Sequence, residues 1–207
     1  AVDSFEAKII GKGCHGAYPH QGIDTVHLLA QAINAINGVR ARRINPTKGA
    51  VISIGSVHGG NANNVIPNEI ALTGTIRSFD EETRAELWAG LEQSLGVTRV
   101  LGGDFTLNII RGYPAMYNAP VVSDVIREVA TEGYGPDGLV TKEVGMGAED
   151  FAYFQQKAPG AMFNLGAKYD SVDRPHHSPV FNISEDALPV GVTVLAEAAL
   201  RLLAGKS

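Results

Sequence analysis

Residues 65–79 read Val65-Ile66-Pro67-Asn68-Glu69-Ile70-Ala71-Leu72-Thr73-Gly74-Thr75-Ile76-Arg77-Ser78-Phe79. The alternation predicts one strand over Val65 to Phe79, because successive side chains of a strand point to opposite faces. Ile70, Leu72 and Ile76 fall on one face, and Glu69, Thr73, Thr75 and Arg77 on the other. Asp80 follows as the N-cap of a helix to about Leu95, with Leu87, Leu91 and Leu95 four apart. Upstream, Phe5 to Lys12 alternates as a strand ended by Gly11 and Gly13. Asp24 caps a helix to about Arg43, with Val26, Leu29, Ile33 and Ile36 as its apolar stripe. Asn45-Pro46 breaks it, and Ala50 to Val57 is a further strand ended by Gly59-Gly60. Downstream, Gly102-Gly103 leads into a strand from Phe105 to Ile110. Strand, helix, strand, strand, helix, strand is the ferredoxin-like βαββαβ order: a four-stranded sheet with both helices on one face.

Gly112-Tyr113-Pro114 reads as a boundary, dividing residues 1–114 from 115–207. Beyond it the pattern predicts a helix from Pro120 to Glu132, a strand from Leu139 to Val144 and a helix from Asp150 to Lys157. A strand from Ala161 to Leu165 and a last helix from the N-cap Ser184 to Leu203 complete it. The last helix carries Leu188, Val192, Leu195, Ala199 and Leu202 as its expected buried face. Two strands for three helices is too little sheet to cover these helices, which is the look of part of a larger layered α/β domain.

The 207 residues carry a net charge of -5 and no long basic run, which argues against nucleic acid as the main partner. Mean hydropathy is +0.02. No apolar stretch approaches the roughly 20 residues that span a bilayer. The start, Ala1-Val2-Asp3-Ser4, has neither a basic region nor an apolar core and is not read as a signal peptide. The single cysteine, Cys14, allows no internal disulfide and fits a reducing cytoplasm.

Three segments carry candidate chemistry. The first is Gly13-Cys14-His15-Gly16-Ala17-Tyr18-Pro19-His20. Cys14 and His15 could form a metal or nucleophile pair, or Cys14 could be a small buried residue with His15 a polar donor in a glycine-flanked turn. The second is Gly145-Met146-Gly147-Ala148-Glu149-Asp150-Phe151. Its carboxylates could bind a metal, or Asp150 could cap the next helix, while Gly147 could offer backbone N–H groups to an anion. The third is His176-His177-Ser178-Pro179, a strand-end loop where imidazole could ligate a metal, with at most one of the two histidines doing so. Asn64 could bond a substrate or simply suit its turn. Arg77 could clamp a carboxylate or be a solvated sheet-face arginine.

Taken in order, these segments resemble the aminoacylase, hippurate hydrolase and carboxypeptidase family of dinuclear-metal amidohydrolases, metallopeptidase family twenty. The likeness is strongest to its N-acyl-amino-acid branch. The matching pieces are Gly11 to Ala17 with Pro19-His20, Gly22-Ile23-Asp24, Gly59 to Pro67, Gly74 to Arg77, Gly147 to Phe151, Pro159-Gly160 and His177-Ser178-Pro179. The resemblance implies that residues 1–114 are a ferredoxin-like lid that dimerises and that 115–207 are the C-terminal part of the catalytic α/β domain. It implies an N-acyl amino acid or peptide substrate, cleaved by metal-activated water. It implies two divalent metals, usually zinc, with manganese, cobalt or nickel as alternatives, and His177 as a metal ligand. It assigns His15 to the partner subunit's site as an oxyanion donor and Asn64 to substrate. Arg77 and Gly147 are candidate partners of the substrate carboxylate. The family's other metal ligands and its general base lie upstream of the lid, so the chain as given is expected to lack most of the metal site. The alternative is a catalytically silent dimerisation or binding module.

Overall fold

The computed structural model of the chain describes residues 1–140 and 145–205. They fall into two compact units. One comprises Ala1–Met116 with Gly145–Tyr153; the other comprises the described residues of 117–140 and 154–205.

The first unit contains, in chain order, β1 (Val2–Ile10), β2 (Cys14–His15), α1 (Thr25–Arg42), β3 (Ala50–His58), β4 (Val65–Ile66), β5 (Glu69–Ser78), α2 (Glu81–Leu95), α3 (Val97–Val100) and β6 (Asp104–Arg111). The main sheet has the order β3-β5-β1-β6 with all neighbours antiparallel, which is the ferredoxin-like arrangement. Phe5, Ala7 and Ile9 of β1 and Leu72 and Ile76 of β5 bury one face against Leu28, Ala32, Ile36 and Val39 of α1 and Leu87, Leu91 and Leu95 of α2, and Ile70 is buried on the same face of β5. Phe5 lies opposite Gly74, where a Cβ would fall 2.5 Å from its ring and 2.1 Å from the Ser53 carbonyl oxygen. Only a residue without a side chain fits there.

Both aspartate caps form as expected. Asp24 accepts from the amides of Val26 and His27 at 2.9 and 3.2 Å, and Asp80 accepts from the amide of Thr83 at 2.7 Å. The α1 stripe is displaced from the expected one. Thr25, Leu28, Ala32, Ile36 and Val39 are buried, while Val26 is 53% exposed. The Thr25 hydroxyl donates to the Pro67 carbonyl at 2.9 Å, which turns residue 25 inward and its neighbour out. The strand expected over Val65 to Phe79 is two strands. Pro67 has no N–H to give a ladder, so β4 ends at Ile66 and pairs with β2, while β5 starts at Glu69.

In the second unit, α4 (Pro120–Tyr134) packs against α6 (Leu188–Leu203). Val125 and Val129 meet Val194 and Ala198. Between them in the chain lies the short α5 (Phe151–Gln155), whose first three residues belong to the first unit. Arg201 closes the α4–α6 pair with two parallel bonds to Glu132, at 3.1 and 2.6 Å. The expected inner face of the last helix is corrected. Gly191, Val194 and Ala198 are buried, with Leu202 partly so, whereas Leu188, Val192, Leu195 and Ala199 are exposed. Glycine and alanine let α6 approach its neighbours closely, so the small residues face inward. Ser184 heads a 3-10 turn, Glu185–Ala187, and its side chain makes no capping bond. The strand expected over Ala161 to Leu165 has no ladder among the described residues. Its backbone is held instead by the Asn118 side chain, which accepts from Met162 N at 2.9 Å and donates to Met162 O at 2.7 Å. Of the strand expected over Leu139 to Val144, residues 141–144 lie outside the described residues, and 139–140 have no regular structure.

Candidate functional site

The loop that follows β1 is tied down at successive points. Gly11 N donates to the Asn68 carbonyl at 2.9 Å and Gly13 N to the Asn68 side-chain oxygen at 2.8 Å. Lys12 and Ile23 exchange both backbone bonds, at 3.0 and 2.9 Å. The β2–β4 ribbon then sets Cys14 opposite Ile66 and His15 opposite Val65. Gly16 N donates to the Asn64 carbonyl at 2.7 Å. His15 and Asn64 are therefore neighbours on one ribbon, both exposed. Asn68, the residue that holds this loop to β5, has no sequence signal beyond an asparagine after proline.

The chain turns at His15, where Tyr18 N donates back to the His15 carbonyl at 2.8 Å. Ala17 N donates to the His15 Nδ1 at 3.1 Å. The Tyr18 ring stands 5.7 Å from the imidazole, and the His20 ring packs edge-on to Tyr18 at 6.3 Å. Cys14 is a free thiol, half-buried in the ribbon. An open groove of about 1110 Å³ borders the ribbon, lined by Cys14, His58, the Gly59–Ala62 loop and Glu69.

Arg77 stands at the other end of β5. Val2 pairs with Arg77 where Ile10 pairs with Glu69. Eight residues at about 3.3 Å each put roughly 26 Å between those ends. Arg77 is half-buried and donates to the Met146 carbonyl at 2.8 Å, so the Gly145–Gly147 turn lies at this end of the sheet. Tyr153 joins the same end, its hydroxyl donating to the Gly112 carbonyl at 3.4 Å and its ring 6.0 Å from that of Tyr113. Gly147 is exposed, and a Cβ there would meet nothing within 4 Å. Glu149 and Asp150 are exposed, and their carbonyls accept from Ala152 and Tyr153 at the start of α5.

His177 belongs to the second unit. It is exposed and is the non-glycine residue with positive φ, 63°, among the described residues. Left-handed backbone outside glycine costs energy and gathers at functional sites. Its neighbour His176 stacks on Phe181 at 5.2 Å, so the two imidazoles have different surroundings. Among the described residues, no three of His, Cys, Asp and Glu converge on a point that could hold a metal ion. A well-held zinc takes three or four protein ligands. The described residues thus do not form a whole metal centre, and His177 is a single candidate ligand.

Within one chain, then, His15 and Asn64 come together, Arg77 and the 145–147 turn come together, and the two pairs stay apart. No helix of the described residues is long and apolar enough to cross a membrane.

Residues 2–100 match the profile of a peptidase dimerisation domain of the M20 type. Over 203 residues the chain is 34% identical to thermostable carboxypeptidase 2 of Saccharolobus solfataricus, covering 96% of this chain and 51% of that one. It is 31% identical to the N-acetyl-L-cysteine deacetylase of Bacillus subtilis, covering 98% and 48%. Among solved structures it resembles the Bacillus subtilis YXEP protein, a dinuclear metal binding peptidase of the M20 family. There the identity is 28% and the TM-score 0.75, covering 98% of this chain and 50% of that one. The chain spans about half the length of the curated relatives it matches. With the ferredoxin-like sheet and the match at residues 2–100 in agreement, the chain carries a dimerisation domain of the M20 peptidase family.

Proposed function

We propose that the chain is the lid, residues 1–114, and the C-terminal catalytic portion, residues 115–207, of a metal-dependent amidohydrolase that cleaves N-acyl amino acids or related peptides. The observation that carries this reading is the ribbon that sets an exposed imidazole, His15, beside an exposed amide, Asn64. As water adds to the amide carbonyl, negative charge develops on its oxygen, and the His15 Nε2–H donates to it. The amide of Asn64 and the N–H groups of Arg77 not engaged by Met146 bind the amino-acid carboxylate, with Gly147 in the adjoining turn. His177 would contribute one ligand to a pair of divalent metals, zinc by preference, with no further cluster of ligands among the described residues. A cytoplasmic enzyme suits the free Cys14.

The 26 Å between the two ends of β5 favours a homodimer. One small substrate cannot touch His15 and Arg77 of the same chain, but it can touch them from two chains related by a twofold axis. Among the described residues no strand pairs with the outer edges of β3 and β6, through which a copy could join. In the whole protein, His15→Ala is expected to lower kcat by about 10²–10³-fold with metal content unchanged. An unchanged kcat removes His15 from the chemistry.

A second reading is favoured by the absence of a three-residue metal cluster among the described residues: the 207-residue chain by itself is a silent dimerisation or binding module. Incubating that chain with zinc and an N-acyl amino acid separates the two. Turnover rules the silent reading out.

A further inference from the structure

The His15 turn contains a bond that the amidohydrolase reading does not require. Ala17 N donates to His15 Nδ1 at 3.1 Å while Tyr18 N donates to the His15 carbonyl at 2.8 Å. The side chain of the first residue of a turn accepts from the amide two residues on, as an aspartate or asparagine does in an Asx turn. In a neutral imidazole one nitrogen donates and the other accepts. A nitrogen that accepts an N–H carries no proton of its own, so the proton sits on Nε2. The ring is further limited by Tyr18 on one side, at 5.7 Å, and the backbone below it is fixed by the β2–β4 ladder and by Gly16 N on the Asn64 carbonyl.

We infer that Ala17, through its backbone amide, and Tyr18, through its ring, are positioning residues that hold His15 as the Nε2–H tautomer and aim that hydrogen away from the Ala17 amide. The turn thereby presents one donor of fixed identity before any substrate arrives. Preorganisation of this kind removes the cost of reorienting a donor while charge develops. The inference rests on the oxyanion role proposed for His15, but the bond itself does not.

The test reads the bond in the unsubstituted 207-residue chain. With ¹⁵N labelling, at about pH 8.5 where imidazoles are ordinarily neutral, long-range ¹H–¹⁵N spectra assign the protonated ring nitrogen. A through-bond coupling between the Ala17 amide nitrogen and His15 Nδ1 reports the N–H···N contact. The expected result is an unprotonated Nδ1, a protonated Nε2 and a resolved coupling to Ala17. A protonated Nδ1, or no coupling, overturns the inference. Tyr18→Leu should keep the coupling, since the amide remains, but should let the ring rotate and reduce the coupling's size; an unaltered coupling removes Tyr18 from the proposal.

A second arm uses the whole enzyme. Glutamine places its amide nitrogen near the Nε2 position and asparagine near Nδ1. His15→Gln should therefore retain at least about tenfold more kcat than His15→Asn, roughly the worth of one charge-assisted hydrogen bond. The reverse ranking overturns the tautomer assignment. If the whole protein hydrolyses no N-acyl amino acid, the functional reading fails while the spectra still decide the tautomer.

Discussion

Asp3 and Arg84 are almost wholly buried, at 1% and 2% exposure, and they bond to each other through two atoms of each side chain. The Trp88 indole and the Gly112 amide complete the carboxylate's partners, at 2.7 and 2.9 Å. Glu81 binds the free side of Arg84 and also accepts from Ala115 N. The start of β1, the face of α2 and the segment leaving β6 are thus fastened at one point. Removing one member of such a pair leaves a buried charge unpaired, at a cost of about 3–5 kcal/mol. Asp3→Ala should lower the unfolding free energy in urea by that amount; a loss under about 1 kcal/mol would mean that the pair behaves as a surface one. Burial by itself pushes the Asp3 carboxyl pKa up. The bonds from Arg84, Gly112 and Trp88 outweigh it and hold the group below its ordinary value. A carboxylate depressed in the folded state stabilises it above the unfolded pKa of about 3.9, and that stability is lost as pH falls through the folded value. Acid titration of wild type and Asp3→Ala should therefore converge below about pH 4, because the wild type alone has this contribution to lose. Gly74 makes a second residue-scale test. Gly74→Ala places a methyl against the Phe5 ring and the Ser53 carbonyl, an overpacking expected to cost about 1–3 kcal/mol by the same urea measurement.

At the scale of elements, α6 separates what the sequence makes plain from what it hides. Its length and helical period are legible from residues 184–203, and so are both aspartate caps and the four-residue leucine spacing of α2. The strand order of the sheet follows from the βαββαβ succession, since few topologies are compatible with it. Which face of α6 is buried is not legible. Leucine and valine surround the helix, so the larger residues suggest one face while packing against α4 selects another, through Gly191, Val194 and Ala198. The same holds for α1, where a threonine hydroxyl bonded to Pro67 outranks Val26. The candidate site is half legible for a related reason. His15, Asn64 and His177 stand out as residue types in glycine- or proline-bounded loops, but the Ala17 amide that orients His15 and the Asn68 side chain that anchors its loop act through bonds with no compositional trace. The exposed stripe has a consequence for the chain studied alone. Val192 and Leu195 are 66% and 59% exposed. Such a patch binds apolar dyes. Replacing both by lysine should reduce dye fluorescence while changing stability by no more than about 0.5 kcal/mol. Val194→Ala, on the buried face, should leave the fluorescence alone and cost about 0.5–3 kcal/mol. Equal effects at the three positions would mean that the faces are assigned wrongly.

For the molecule as a whole, the governing length is that of β5. His15 and Asn64 belong to the ribbon tied in next to its Glu69 end and Arg77 to the opposite end, the two ends being roughly 26 Å apart at the rise of a strand. No local rearrangement of the β2–β4 ribbon closes that distance, because the ribbon is tied to β5 through Asn68. In the proposed homodimer a twofold copy would bring the His15 end of one chain toward the Arg77 end of the other without deforming either, and an isologous interface would do so twice. On the proposed reading, each site takes His15 and Asn64 from one chain, with Arg77 and His177 from the partner. Two variants that are each inactive in the whole protein then become complementary. Homodimers of His15→Ala lack the donor at both sites, and homodimers of His177→Ala lack a metal ligand at both. A mixed dimer has one site with neither change and one with both. If equal amounts are unfolded together and refolded, half of the dimers are mixed, so about one quarter of the wild-type activity should return. Mixing the folded proteins without exchange should return none. If the sites were complete within single chains, the refolded mixture would stay as inactive as its parents, and the shared site would have to be abandoned even if the dimer itself were found by sedimentation.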